Sequence, residues 1–298
     1  KNLDVSKIRQ IRIEIRSAAE RRVVFSLDGF GLYKELPTYE GPLLTLTCTK
    51  DGFIRRDGRK YTLVAGVNRL ASGKYNYEGM SFHFDENDPG KPNALHGFIY
   101  NVAFDLVEKL DNSIRFRHEY DGTLEAYPFP FTFEVNYILK KNELEIQVDI
   151  QNTGSQTMPC GFGWHPYFDL ELTNEPCRLK MPKTSLIEVN ENLIPTGAES
   201  HNRDFQDFTS VFAKELDSCY RLEKIEDRNS VFLNYPQLGT LEIWQDHNFP
   251  FVQVYKPDER AMAIEPMSCG IDAFNTQQGI KKIAAEQSWS LKMGLKLF

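Results

Sequence analysis

The sequence lacks the features that mark out many functional classes. Five cysteines in 298 residues (Cys48, Cys160, Cys177, Cys219 and Cys269) are widely scattered, with no CxxC pair and no Cys/His group at zinc spacing. That excludes a disulfide scaffold and leaves no expected metal or other cofactor; the thiols read as reduced packing residues of a cytoplasmic protein. No run of about 18 apolar residues is present, so no membrane helix is expected. Neither GxxxxGK nor GxGxxG follows a strand-like segment, and GxSxG is missing, so nucleotide, dinucleotide and α/β-hydrolase chemistry have no support. Positive charge is not in excess: the net charge of -7 argues against nucleic acid or an anionic membrane surface as a partner. Repeats and Pro/Ser-rich linkers are missing too, and the chain reads as one domain over residues 1–298.

What is present is alternation. Ile11–Ile15, Val23–Leu27, Leu43–Cys48, Tyr61–Gly66, Val102–Val107, Ser113–Tyr120, Phe131–Leu139 and Glu143–Ile150 alternate apolar and polar residues or are short β-prone runs. So do Val231–Tyr235, Thr240–Trp244, Phe251–Tyr255, Ala261–Ile264 and Trp289–Leu297. Lys140-Lys141-Asn142 reads as the turn of a hairpin. Residues 68–97 read as a long irregular loop, of the length that carries function, and Asp204–Phe212 as a short helical piece. The fold class is therefore all-β, built of large antiparallel sheets with one face on a core and the other on water or a groove.

Against this scaffold four residues stand out. His165 lies in Gly161-Phe162-Gly163-Trp164-His165-Pro166-Tyr167-Phe168, where glycines and a proline crowd aromatic rings around one imidazole. Taken alone it reads equally as a packing residue of an aromatic plug. His96, in Leu95-His96-Gly97-Phe98, ends the irregular loop and reads as a turn cap or a ligand-binding imidazole. Asp217, in Leu216-Asp217, reads as a turn residue or a hydrogen-bonding carboxylate. Glu265 follows the apolar Ala261–Ile264 and terminates that strand; buried there, its charge needs a partner or a task. Arg69, in Asn68-Arg69, is the candidate ion partner for it. One carboxylate and one or two imidazoles can move protons in both directions across a bound substrate. Arginine, aspartate and aromatic rings suit a neutral polyhydroxylated ligand, whose hydroxyls want charged hydrogen-bonding groups and whose C–H face packs on rings. A glycosidase would want a second carboxylate flanking the bond.

Asn68-Arg69, Leu95-His96-Gly97, Gly163-Trp164-His165-Pro166-Tyr167-Phe168, Leu216-Asp217, Val252-Gln253-Val254-Tyr255 and Ile264-Glu265-Pro266-Met267, in this order, resemble the aldose 1-epimerase (galactose mutarotase) family over roughly residues 40 to 297. The resemblance implies a β-supersandwich of large, twisted antiparallel sheets with a sugar in an open groove, in a monomer or weak homodimer. It implies Glu265 as the base that takes the anomeric proton and His165 as the acid that protonates the ring oxygen. His96, Arg69 and Asp217 would hold the sugar. Reference values leave Glu265 ionised near neutrality, and its carboxylate is expected to raise His165 and keep it protonated, giving a bell-shaped pH–rate profile. The sequence departs from better-known members at Gly97-Phe98, where two glycines are usual, and at Trp164 before His-Pro. A related branch acts on hexose 6-phosphates; Ile99-Tyr100-Asn101 offers no arginine for a phosphate, which favours a free aldohexose. A non-catalytic carbohydrate-binding protein on the same scaffold is the reading from another class.

Overall fold

In a computed structural model of the protein, residues 68–298 are described apart from Asp111 and Lys141, together with the backbone of five strands between residues 10 and 61. Among the described residues nearly all regular structure is antiparallel strand. A nine-stranded sheet runs in the order Asp105–Lys109, Ser113–Tyr120, Phe131–Leu139, Glu143–Asn152, Ser288–Leu297, Gly239–Gln245, Asn229–Tyr235, Arg178–Lys180, Thr209–Ser210. A six-stranded sheet runs Tyr167–Asp169, Ala261–Met267, Phe251–Asp258, Leu216–Leu222, Thr184–Val189, Pro195–His201. Gln10–Arg16, Arg22–Asp28, Leu43–Thr49, Gly52–Ile54 and Lys60–Tyr61 form a further sheet, so three of the early expected strands are strands. Of the expected strand Tyr61–Gly66 all but Tyr61 lies outside the described residues, as does the side chain of Cys48.

Period-two patterning becomes burial directly. Along Phe131–Leu139 the residues Phe131, Phe133, Val135 and Tyr137 are buried while their neighbours are half-buried, and along Glu143–Asn152 the buried set is Leu144, Ile146, Val148, Ile150 and Asn152. The two strands form the expected hairpin, with Leu139 opposite Leu144 and Lys140 N donating to Glu143 O. One continuous apolar core takes Leu144, Ile146, Leu291 and Leu295 from the larger sheet and Val252, Val254, Met262 and Ile264 from the smaller. The strand Ser288–Leu297 sits in the middle of the larger sheet, paired on one side with Glu143–Asn152 and on the other with Gly239–Gln245. A Cβ on its Gly294 would lie 2.1 Å from Leu144 O and 2.8 Å from the Trp244 ring, so only glycine fits there.

Two expectations fail. Residues 68–97 are not one irregular loop: Arg69–Ala71 pairs with Asn93–Leu95, and Lys74–Tyr77 with Met80–His83, which leaves residues 84–92 as the irregular connection. These strands are too short for periodicity to show, and their turns supply the glycines and acids that mimic a loop. Residues 204–212 are turns plus the edge strand Thr209–Ser210, not helix. The α-helix among the described residues is the single turn Ala273–Thr276.

Candidate active site

The six-stranded sheet lays out the floor of the site by register. Glu265 stands opposite Gln253, which stands opposite Cys219. Two residues along, Tyr167 stands opposite Ala263, Ala263 opposite Tyr255, and Tyr255 opposite Asp217. Directly opposed residues share a sheet face, as do residues two apart on one strand. Glu265, Gln253, Tyr167, Tyr255 and Asp217 therefore display on one face, and Val252, Val254, Met262 and Ile264 on the core-facing side. Ala263, the small residue between Tyr167 and Tyr255, leaves their rings 6.5 Å apart at 75°. Glu265 lies inside the strand Ala261–Met267, not at its end as the proline after it suggests.

The segment before Tyr167 is fastened along the same strand. Phe162 N donates to Ser268 Oγ, Ser268 N to Phe162 O, Trp164 N to Pro266 O, and Gly163 bridges Met267. His165 is thereby delivered beside Glu265, its Nε2 3.1 Å from Glu265 Oε1, with both side chains buried. The Tyr167 ring stacks on the imidazole at 4.8 Å and 29°.

The remaining groups come from the short strands near residue 70. Arg69–Ala71 is held down by main-chain contacts: Asp272 N donates to Arg69 O, and Ala71 N donates to Asp272 Oδ1. His96 adopts a left-handed backbone, φ +68°, at the end of Asn93–Leu95. Its ring meets His165 edge-on at 5.5 Å. Arg69 donates from Nε to Asp88 Oδ2 and from a terminal nitrogen to Asp217 Oδ2, each at 3.0 Å. Gln253 donates to Asp217 Oδ1 at 2.7 Å and accepts from Asn68 Nδ2 at 3.1 Å. All five residues singled out from the sequence thus fall in one cluster. The expected pairing of Arg69 with Glu265 does not occur: the guanidinium is taken by two aspartates, and the partner of Glu265 is His165.

Burial dominates the proton affinities. It raises Glu265 well above the usual carboxylate range; Asp217 nearby adds to the rise and Arg69 opposes it. Burial pulls His165 down to about 3, with His96 adding to the fall. His96 falls to about 4, first through burial and then through Arg69, with Asp88 opposing. The expectation of an ionised Glu265 that raises His165 is therefore reversed. Neither partner is favoured as an ion in so dry a place, so the neutral pair, with its proton on Glu265, is favoured over the ion pair in the field of the protein itself.

Three further residues are structurally part of the site. Gln253 lies in a segment whose alternation is visible and Tyr167 in the aromatic segment around His165, but their membership of the floor follows from cross-strand register, which a single sequence does not display. Asp88 sits in the connection between short strands, with no local pattern to mark it. The buried thiols of Cys160, Cys177, Cys219 and Cys269 are free and pushed up by burial, Cys177 and Cys269 to about 12. Among the described residues no group of three or more His, Cys, Asp or Glu is placed to hold a metal ion, and no helix is long and apolar enough to cross a membrane.

Comparison with known proteins agrees with this architecture. Residues 44–296 match the sequence model of the aldose 1-epimerase family. The uncharacterized protein YihR of Escherichia coli K12 is 27% identical over 222 residues, covering 72% of this chain and 71% of YihR. Among solved structures, a galactose mutarotase-like protein from Clostridium acetobutylicum aligns with a TM-score of 0.75 at 16% identity, over 86% of this chain and 92% of that one. The galactose 1-epimerase of Lactobacillus acidophilus aligns with a TM-score of 0.68 at 12% identity, over 96% and 98%. At such identities the structural likeness concerns the fold, which is the galactose mutarotase-like arrangement of large antiparallel sheets.

Proposed function

The chain belongs to the aldose 1-epimerase family, and from that premise we propose that it interconverts the α and β anomers of a free aldohexose of the glucose or galactose type. The observation that carries the reading is the pair His165–Glu265, buried and 3.1 Å apart on the floor of the site. Mutarotation needs a base for the anomeric O1–H and an acid for the ring oxygen, acting together and then exchanging tasks. A pair that shares one proton is suited to this. Passage of that proton from Glu265 to His165 gives a carboxylate base and an imidazolium acid, and hydroxyls of a bound sugar supply the hydrogen bonds that favour the carboxylate. Glu265 takes the O1 proton as His165 gives its proton to O5, and the C1–O5 bond breaks to leave the open aldehyde. Rotation about C1–C2 presents the other carbonyl face. Reversed transfers close the ring as the other anomer, and the pair ends with the proton count it began with.

His96, Arg69 and Asp217 hold the sugar's oxygens. Arg69 and Asp217 arrive already bonded to one another, so their side chains lose little further freedom when a ligand binds. A hexose 6-phosphate is the less well supported substrate, because the Arg69 guanidinium already carries two carboxylates. Reduced, buried thiols fit a cytoplasmic enzyme.

Polarimetry of freshly dissolved α-glucose and α-galactose, with wild type and Glu265→Gln side by side, tests the reading. Wild type should hasten the decay of rotation and the variant should not. Acceleration confined to hexose 6-phosphates would replace the substrate, and tight sugar binding without acceleration would replace the enzyme with a binding protein.

A further inference from the structure

Asp88 is among the least expected charges in the molecule. It comes from the connection between Met80–His83 and Asn93–Leu95, yet its side chain is 7% exposed and lies against an arginine that is 12% exposed. Its Oδ2 accepts from Arg69 Nε and from Asn93 Nδ2, both at 3.0 Å. Asn93 in turn donates to Asn192 O, and Asn87 clamps Leu95 through two bonds, so the segment carrying Asp88 is tied down on both sides.

The charge balance follows. Arg69 brings one positive charge and Asp88 and Asp217 bring two negative ones; burial pulls His165 and His96 down so that neither adds a positive charge near neutrality, and Glu265 can add only a negative one. The cluster is net negative although it contains an arginine. The cations on the strands of the six-stranded sheet, Arg221 and Lys256, are likewise taken, by Glu199 and Glu259. A sugar bearing a carboxylate or phosphate would enter a negative field with, among the described residues, no unpaired cation on the floor to receive it.

We propose that Asp88 is a positioning residue that orients Arg69 and, by adding a second carboxylate to it, makes the site select neutral over anionic sugars. The inference rests on the mutarotase reading and deepens it. Arg69 would hold its sugar oxygen equally in ground and transition states, so loss of its orientation should appear in KM. Loss of the Asp88 charge alone should appear in the choice between sugars.

The test uses D-galactose and D-galacturonate, which differ at C6, with wild type, Asp88→Asn and Asp88→Ala. Wild type is expected to favour galactose by about a hundredfold in kcat/KM, the scale of one uncompensated charge at close range. Asp88→Asn keeps a hydrogen-bonding oxygen for Arg69 and removes the charge; it should lose about threefold on galactose while narrowing the preference about tenfold. Asp88→Ala should raise KM for galactose about tenfold with kcat nearly held. A preference unchanged within twofold in a folded Asp88→Asn variant overturns the proposal. So does wild type that handles the two sugars alike, a readout that needs no variant. If wild type accelerates neither sugar, the mutarotase reading fails; calorimetric binding of the same two sugars then measures the same preference, and its absence overturns the role of Asp88 separately.

Discussion

The two faces of the strand Ala261–Met267 are both buried and obey different rules. Met262 and Ile264 are fully buried in the continuous core, where what counts is volume and the absence of voids. Glu265, on the opposite face one residue along, is 6% exposed yet touches a histidine and stands beside a glutamine that reaches an aspartate. Burial of similar depth stabilises through contact on one side, and on the other costs free energy that only paired polar groups offset. Burial by itself therefore says little about what a position is for; the chemistry of its cross-strand neighbours says more.

The comparison breaks first at Glu265. Glu265→Gln keeps the shape and removes the proton exchange, so the enzymatic acceleration should fall by about a thousandfold with the melting temperature held or raised. A variant that melted early yet turned over normally would put Glu265 on the structural side. Ile264→Ala, its immediate neighbour, should do the reverse. Unfolding free energy should drop by about 2–5 kcal/mol in denaturant titration while activity per folded molecule stays near wild type.

A smaller effect separates the faces through pH. His96 and His165, ordinarily at 6.5, are pulled to about 4 and about 3, so below pH 6.5 the unfolded chain binds protons the folded one does not, and stability falls on acidification. Glu265, ordinarily at 4.5, is raised, so above its unfolded value the folded chain holds a proton the unfolded one has lost, and stability falls as pH rises. Between 4.5 and 6.5 the Glu265 and His165 contributions cancel, leaving the slope due to His96. Above pH 6.5 the two histidines no longer contribute, and stability falls as pH rises for as long as burial holds the proton on Glu265. Glu265→Gln should flatten that alkaline limb in melting curves taken from pH 6.5 to 8.5; an unchanged limb would assign it to other groups. Last, Tyr167→Phe preserves the ring stacked on His165 and should cost no more than about threefold in kcat/KM, against about tenfold for Tyr167→Leu.

Much of this was legible before any coordinates. Alternation in Phe131–Leu139, Glu143–Ile150 and Phe251–Tyr255 reports half-buried strands because the pleat itself has period two. His165 and Glu265 drew notice as polar residues in apolar company. What stayed hidden is what two distant segments make only together. Asp88 follows Arg69 by 19 residues and Asp217 follows Arg69 by 148; nothing local in any of them announces the ion cluster. The proton affinities are hidden for the same reason, since they depend on depth of burial, which register and layer packing decide. The segment from Asn68 to Gly97 hides its strands because three or four residues offer too few repeats of the pattern.

The position of Ser288–Leu297 in the middle of the nine-stranded sheet has a consequence in time. The strands Ser113–Tyr120, Phe131–Leu139 and Glu143–Asn152 leave the ribosome long before the segment that joins them to Gly239–Gln245 and Asn229–Tyr235. At ordinary rates of synthesis the gap is roughly 10–30 s, during which Glu143–Asn152 presents an open edge of unpaired backbone N–H and C=O groups beside its apolar face. The sheet is built as two halves, and the seam between them is made after both.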